Sequence, residues 1–273
     1  MKDTRRVALP VLFVVLVAGC GTGPKASGVD SNTGELQQVK TYGYEVVNKY
    51  PHDRDAFTQG LELHNGFLYE STGLARHSTL RKVDLKTGAV LQKTDLAPQY
   101  FGEGMTILNN KIYQLTWTTK IGFIYDLDTF KPIGQFQYDW EGWGMTNDGK
   151  NLIISDGSNK LRFLDPERFN VVKTIEVFRQ GQPLNELNEL EYINGEIYSN
   201  IWHSNLIARI SPADGKLLGM IDMSGLSAGM NLGSEDVLNG IAYDPASKCL
   251  LVTGKRWPAL FQIRIKPRAG AVG

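Results

Sequence analysis

The chain has 273 residues and a formal net charge of zero, from 29 lysine and arginine residues against 29 aspartate and glutamate residues. This balance offers no basic surface to a phosphate backbone, so we expect no nucleic-acid partner. The cysteines are Cys20 and Cys249, which are too few for a disulfide framework. Cys249 lies in an apolar run, where a cysteine is usually a small buried hydrophobic residue.

The first residues have the pattern of an export signal. A basic head is followed by an apolar run and by small residues that lead to Cys20. Val17-Ala18-Gly19-Cys20 resembles the lipobox of bacterial lipoproteins, so we predict that residues 1–19 are a signal peptide cleaved before a lipidated Cys20. An ordinary secretory signal that contains a cysteine is the alternative. The apolar run is too short to favour a permanent membrane-spanning helix.

The predicted lipid anchor implies a location and a tether. We expect an exported protein, held by its lipid on the periplasmic side of the cell envelope. Gly21 follows the cysteine where an aspartate would favour the inner membrane, so the outer membrane is favoured if the host is Gram-negative. Residues 20–38 are rich in small and polar side chains and are predicted to form a flexible tether.

Five segments of the remaining chain share one pattern. Each is a short strand, a turn built on Asn, Gly or Asp, and a second apolar strand, which is typical of a β-hairpin. Most hairpins are followed by a further pair of strands. Four strands recurring every 40 to 51 residues indicate the blade of a β-propeller, with matched positions at Gln59, Glu103, Trp143, Asn188 and Asn239.

Residues 39–267 are therefore predicted to form one all-β domain, a five-bladed β-propeller. The last repeat lacks its fourth strand. We predict that an N-terminal strand at residues 42–50 completes the last blade, because closure by both ends of the chain would hide the open sheet edges. Residues 268–273 are predicted to be a disordered tail. Since the fold closes on itself, we expect a monomer.

A pocket is expected at one mouth of the central channel. The first strand of each blade lies along that channel, so the matched positions would form a ring there. Apolar walls with a few polar groups are typical of a pocket for a small molecule or a chain end. The alternative is that the aromatic residues only pack between blades and the polar groups satisfy one another. The predicted polar groups are Gln59, Glu103, Asn188 and Lys255, and the predicted walls are Phe57, Phe101, Trp117, Trp143 and Trp202.

Other polar residues are predicted to lie away from this mouth. Glu189 and Glu191 alternate out of phase with the pocket position of their strand, and His203 should point away from it. The four histidines are scattered without metal-ligand spacing, so we predict no catalytic metal and no cofactor. A structural calcium ion in the channel stays open, although no calcium-binding loop is present in the sequence.

Six motifs occur in order along the five predicted blades: FTQGLE (57–62), YESTG (69–73), FGEGMT (101–106), GWGMT (142–146), LNELEYINGEIYSNIW (187–202) and LNGIAYD (238–244). Together they resemble the glutaminyl-peptide cyclotransferases of the plant-latex and bacterial type, also called glutamine cyclotransferases. The resemblance covers roughly residues 42–265. It implies a five-bladed propeller that converts an N-terminal glutamine to pyroglutamate with release of ammonia and without a catalytic metal.

The resemblance assigns the role of general acid and base to Glu103. One carboxyl group can take a proton from the attacking amine and return it to the leaving nitrogen. Asn188 and Gln59 can donate hydrogen bonds to the oxyanion, and Lys255 either stabilises that charge or tunes Glu103. Phe57, Phe101, Trp117, Trp143 and Trp202 would hold the glutamine side chain folded back on itself. The predicted catalytic residues are thus Glu103, Lys255 and Asn188.

The implied enzyme is an acyltransferase whose partners are peptides or proteins that begin with glutamine. Two other classes stay open. A non-enzymatic propeller lipoprotein would use the same face to bind a protein partner, because propellers have many unrelated functions. A metal-dependent propeller hydrolase would need several carboxylates around its ion, whereas the predicted ring has only Glu103.

Overall fold

The computed structural model describes residues 39–268. The predicted signal peptide, the lipidation site at Cys20 and the tether up to residue 38 lie outside the described residues, as do residues 269–273 of the predicted tail. Between residues 39 and 268 the chain forms strands, turns and loops without a helix, which confirms the all-β class. No helix in this range is long and apolar enough to cross a membrane.

The first part of the chain forms one strand and then three antiparallel sheets of four strands, each sheet in chain order. The opening strand is β1 (Thr41–Pro51). The first sheet contains β2 (Thr58–His64), β3 (Phe67–Thr72), β4 (Thr79–Asp84) and β5 (Val90–Asp95). The second contains β6 (Gly102–Leu108), β7 (Lys111–Thr116), β8 (Ile121–Asp126) and β9 (Pro132–Gln137). The third contains β10 (Met145–Asn147), β11 (Leu152–Ser155), β12 (Lys160–Leu164) and β13 (Val171–Glu176).

A short hairpin follows, formed by β14 (Phe178–Arg179) and β15 (Gln182–Pro183). The remaining strands are β16 (Leu187–Ile193), β17 (Glu196–Ile201), β18 (Leu206–Ile210), β19 (Leu217–Asp222), β20 (Leu238–Asp244), β21 (Cys249–Gly254) and β22 (Ala259–Pro267). With β1 they form one eight-stranded sheet in the order β16-β17-β18-β19-β1-β22-β21-β20. β1 is antiparallel to β22, which confirms the predicted pairing of residues 42–50, and it also pairs in parallel with β19.

The tight turns of the predicted hairpins follow from their asparagine residues. Asn65-Gly66 and Asn194-Gly195 have positive φ at both residues, and so does Asn109-Asn110. Two-residue hairpin turns need this left-handed conformation, which asparagine and glycine adopt more readily than other residues. These dipeptides therefore fix the register of β2 with β3, of β6 with β7 and of β16 with β17.

The strands that begin each group of four lie side by side around a common centre. β2 contacts β6, β6 contacts β10, β10 contacts β16, β16 contacts β20, and β20 returns to β2. Hydrophobic clusters fill the space between consecutive groups. One, for example, combines Tyr69 and Leu80 of the first sheet with Met105 and Ile112 of the second. Another joins Leu61 of β2 to the C-terminal strands, so the packing continues from the last group back to the first.

Glycine residues allow the central strands to approach one another closely. A Cβ atom on Gly104 would lie 2.3 Å from the backbone nitrogen of Met145, and one on Gly144 would lie 2.0 Å from the carbonyl oxygen of Asn188. The position that matches these glycines in β16 is Glu189. Its carboxylate crosses the centre instead, accepting hydrogen bonds from the backbone nitrogens of Leu61 and Ile241.

We expect Gly144→Ala to lower the free energy of unfolding by about 3 kcal/mol, because the new methyl group meets backbone atoms that cannot move aside. Chemical denaturation of the variant and the wild type measures this change. Gly43→Ala is the matched control, since a Cβ at Gly43 in β1 has no neighbouring atom within 4 Å. Equal stability of the two variants would contradict close packing of the central strands.

Candidate active site

A cavity of about 190 Å³ opens at one end of the central strands. All nine residues predicted to form the pocket line it, and Glu235 is a tenth. The lining residues are Phe57, Gln59, Phe101, Glu103, Trp117, Trp143, Asn188, Trp202, Glu235 and Lys255. The structure therefore brings together all nine predicted pocket residues. Asn239, the fifth matched position of the expected ring, is buried and is not part of the lining.

Irregular strand pairing accompanies three of the polar side chains. The pairing of β2 with β3 shifts between Thr58 and Gly60, which bracket Gln59, and that of β6 with β7 shifts between Gly102 and Met105, around Glu103. The same shift occurs around Asn188 in β16. A β-bulge of this kind re-aims a side chain and is common beside active sites.

Glu103 and Lys255 are the two buried charged groups of the cavity, and each is 5% exposed. Burial raises the pKa of Glu103 well above its ordinary value; the positive charge of Lys255 opposes the rise and the negative charge of Glu141 adds to it. Burial lowers the pKa of Lys255, while Glu103 and Glu235 oppose that change. Burial thus shifts both groups toward their neutral forms, and the charge of each partly offsets the shift of the other.

The side-chain amide of Gln59 is held by Asn239, the matched residue of the last repeat. Asn239 Nδ2 donates to Gln59 Oε1 at 3.1 Å and to the carbonyl oxygen of Thr58 at 2.9 Å. Asn188 Oδ1 and Trp202 Nε1 are buried without a hydrogen-bond partner among residues 39–268. Buried polar atoms are rarely left unpaired, so a polar ligand that satisfied them would gain binding energy.

The aromatic walls form two edge-to-face groups. Phe101 lies between Phe57 and Trp117, with ring centroids 6.2 Å and 5.8 Å away, and Trp143 packs against Trp202 at 5.5 Å. Lys255 Nζ lies 4.7 Å from the ring centroid of Phe57, a cation–π distance. The walls therefore contact the catalytic candidates as well as the neighbouring strands.

The family comparison agrees with this site. A family model described as glutamine cyclotransferase matches residues 13–265. The chain belongs to the glutamine cyclotransferase family. It is 48% identical over 236 residues to a glutaminyl-peptide cyclotransferase of Arabidopsis thaliana, a match that covers 84% of this chain and 73% of that protein. The crystal structure of Myxococcus xanthus glutaminyl cyclase is similar with a TM-score of 0.79 and 38% identity, covering 84% of this chain and 99% of that one.

Two carboxylates near the cavity of this cyclotransferase-family chain lie outside the positions that the repeats predict. Glu235 lies in the loop between β19 and β20, outside every repeat. The long interval before the last repeat was the one sequence feature that indicated an extra loop there. Glu141 lies just before the GWGMT motif and accepts hydrogen bonds from the indole nitrogens of Trp117 and Trp143. Its role depends on contacts between two sheets, which no local pattern reveals.

The other acidic residues of the channel lie elsewhere. Glu189 and Glu191, predicted to face away from the mouth, are absent from the cavity lining; Glu191 contributes with Glu62 to a different cavity. Burial raises the pKa of Glu62 to about 7. His203 is not part of the cavity lining either. Within residues 39–268, no group of three or more His, Cys, Asp or Glu side chains is arranged to hold a metal ion.

Proposed function

We propose that this chain is a glutaminyl-peptide cyclotransferase, which closes an N-terminal glutamine of a peptide or protein to pyroglutamate and releases ammonia. The observation that carries the proposal is the cavity itself, in a chain of this family: Glu103 and Lys255 are both buried in it, and its walls are aromatic. The 48% identity to a protein named for this activity supports the same reaction.

The proposed reaction is an intramolecular acyl transfer. The substrate α-amine attacks the side-chain amide carbon, so a carbon–nitrogen bond forms and the amide carbonyl oxygen becomes an oxyanion. Ionised Glu103 takes a proton from the attacking nitrogen and gives it to the leaving nitrogen, which departs as ammonia while the carbonyl reforms. The raised pKa of Glu103 suits the first step, because a carboxylate of higher pKa is a stronger base toward the attacking nitrogen.

Neighbouring polar groups would stabilise the oxyanion. Lys255, together with the side-chain amides of Gln59 and Asn188, lines the same cavity as Glu103. Preorganised donors in a water-poor site are worth more than the same donors in water. The indole and phenyl walls would hold the flexible glutamine side chain in its cyclic conformation, which lowers the entropic cost of ring closure.

We assign Glu235 to the substrate α-ammonium group. Its side chain is 52% exposed, and its negative charge acts on Lys255 from the rim of the cavity. The turn that contains Glu235 is fixed, since Asp236 accepts hydrogen bonds from Arg256 Nε at 2.7 Å and from the backbone nitrogen of Gly233 at 2.8 Å. An exposed carboxylate at the entrance would attract a charged amino terminus before that terminus loses its proton to react.

Glu235→Gln should raise KM about fivefold at about pH 6.5, where the substrate amine is charged, with little change in kcat. The increase in KM should disappear at about pH 9, where the substrate amine is neutral. Initial rates at several substrate concentrations test this at both pH values. Glu186→Gln is the control, because Glu186 is exposed but does not line the cavity. A penalty independent of pH would contradict the assignment.

We also propose that the domain is a β-propeller with five blades. Five groups of four strands arranged around a common centre support a five-bladed β-propeller over residues 39–267. The fifth group is β20, β21, β22 and β1, so the strands from both ends of the domain close the ring. This closure supports a monomer.

We further propose that residues 1–19 are a cleaved export signal and that a lipidated Cys20 anchors the protein on the periplasmic side of a bacterial envelope. Residues 20–38 would then be the tether. The order of a basic head, an apolar run and a small-residue motif before Cys20 supports this proposal. Metabolic labelling with a fatty acid, with a Cys20→Ser variant as control, tests it.

The deciding experiment incubates the full chain with a dipeptide amide that begins with glutamine, with and without EDTA. Ammonia release together with loss of one ammonia mass from the peptide is expected, and it should be unaffected by EDTA. No release from folded protein would overturn the proposed activity and leave a binding role for the same face. Loss of activity with EDTA would overturn the metal-independent mechanism.

A further inference from the structure

Glu141 holds two walls of the cavity with one carboxylate oxygen. Its Oε2 accepts a hydrogen bond from Trp117 Nε1 at 2.7 Å and another from Trp143 Nε1 at 3.1 Å. Trp117 follows β7 of the second sheet and Trp143 precedes β10 of the third, so this oxygen connects two sheets at the mouth. Hydrogen bonds to an ionised acceptor are stronger than neutral ones.

This connection joins what are otherwise two separate aromatic groups. Phe57, Phe101 and Trp117 form one edge-to-face series, and Trp143 with Trp202 forms the other. Among residues 39–268, no ring contact links Trp117 to Trp143. The carboxylate of Glu141 therefore makes the two groups one continuous wall.

Trp117 depends on this contact for its orientation. Its side chain is among the exposed large hydrophobic groups, at 40%, so packing restrains it only in part. The chain beside Glu141 is itself fixed, because the backbone nitrogen of Gly142 donates to the carbonyl oxygen of Trp117 at 3.2 Å. A Cβ on Gly142 would lie 2.8 Å from the carbonyl oxygen of Thr116, so only glycine allows this approach.

The charge of Glu141 also reaches the proposed acid and base. Burial is the main cause of the raised pKa of Glu103, and the charge of Lys255 opposes the rise. The negative charge of Glu141 adds to it. Glu141 itself does not line the cavity. It acts on the reaction through the two indoles and through its charge.

We propose that Glu141 is a positioning residue for cyclisation, which locks Trp117 and Trp143 as a single wall against which the substrate side chain folds back. This inference rests on the proposed function. It predicts that removing the carboxylate weakens substrate binding by releasing an indole, whereas replacing it by an amide keeps an acceptor but removes the charge.

The test compares full-length Glu141→Ala and Glu141→Gln with the wild type, using a dipeptide amide that begins with glutamine. Glu141→Ala should lower kcat/KM about 30-fold, mostly through KM, and Glu141→Gln about fivefold. In both, the acidic limb of the kcat/KM profile should move to lower pH, because Glu103 loses a neighbouring negative charge. Asp139→Asn should change neither, since Asp139 is an exposed carboxylate two residues away.

A double-mutant cycle separates positioning from general support of the fold. If Glu141 acts through Trp117, then adding Glu141→Ala to Trp117→Phe should cost much less than Glu141→Ala alone costs in the wild type. An unmoved pH profile with wild-type KM in both Glu141 variants would overturn the proposal. Full additivity with Trp117→Phe would overturn it as well. Lack of turnover in the wild type would instead overturn the proposed function.

Discussion

Replacing Glu103 by glutamine is expected to reduce cyclisation of a glutamine dipeptide amide about 1,000-fold, the usual scale for loss of a general acid and base. The amide has nearly the same size but cannot accept a proton from the attacking amine or return one to the leaving nitrogen. Because Glu103 has no salt bridge among residues 39–268 that its loss would break, the melting temperature should stay close to that of the wild type. Ammonia release and thermal unfolding measure the two effects separately.

Glu62→Gln is the matched control for this experiment. Glu62 is another glutamate of the central strands with a raised pKa, but it does not line the catalytic cavity. A glutamine oxygen can still accept the hydrogen bonds that Glu62 receives from Thr106 Oγ1 and the backbone nitrogen of Ile107. Comparable losses of turnover in the two variants would show that a channel carboxylate is needed for structure and not for proton transfer.

The pH dependence of the wild type gives a second check on Glu103. The base must be ionised before the amine attacks, and burial raises the pKa of this group well above 4.5. The kcat/KM value should therefore rise with pH through a limb that lies above the ordinary carboxyl range. A limb at the ordinary position would show that a more exposed carboxylate is the base.

Much of the fold could be predicted because local patterns determine it. The turn at residues 65 and 66 has two positive φ angles, and the Asn-Gly dipeptide itself predicts this conformation. The pairing of β1 with β22 could be predicted from a missing strand in the last repeat. The parallel pairing of β1 with β19 could not, because it depends on how two neighbouring groups twist toward each other.

The cavity was predictable for a related reason. Gln59, Glu103 and Asn188 occupy the same position in the first, second and fourth repeats, so any ring closure brings them to the same end of the channel. Glu235 and Glu141 lie in connections that differ from repeat to repeat, and no periodicity marks them. The β-bulges that turn the ring residues toward the mouth were also missing from the prediction, since strand alternation assumes regular pairing.

A buried ionic network secures the seam where the first sheet meets the last strands. Glu70 Oε2 accepts hydrogen bonds from Arg81 Nε at 2.9 Å and Nη2 at 2.8 Å, while Oε1 accepts from Thr58 Oγ1 at 2.6 Å. His52 Nε2 lies 3.0 Å from Glu70 Oε1, and His52 Nδ1 lies 2.7 Å from the carbonyl oxygen of Trp257. The network therefore connects the segment after β1 to the first sheet through Glu70 and to the last strands through Trp257.

We expect Glu70→Gln to lower the free energy of unfolding by about 4 kcal/mol, because it leaves the buried guanidinium of Arg81 with only the partly exposed carboxylate of Asp53 as a counter-charge. Chemical denaturation at neutral pH measures the loss. Glu196→Gln is the matched control: Glu196 also accepts two hydrogen bonds from one guanidinium, that of Arg209, but is partly exposed, so about 1 kcal/mol or less should be lost. Equal losses would show that burial does not set the strength of the network.

The same network should make stability depend on pH with a definite sign. Burial disfavours charged His52, but the negative charge of Glu70 outweighs burial and raises the pKa of His52 above 6.5. The stabilisation by charged His52 is therefore complete below pH 6.5 and is lost as pH rises through the raised pKa. Burial likewise disfavours charged Glu70, but Arg81 and His52 lower its pKa below 4.5, so its contribution is lost only in stronger acid. The network is thus most stabilising between about pH 4.5 and 6.5. His52→Gln should remove the loss of stability that the wild type shows as pH rises above 6.5. Melting temperatures of the two proteins measured across this pH range test the prediction. If the wild type loses no more stability than the variant, His52 is neutral in the folded protein.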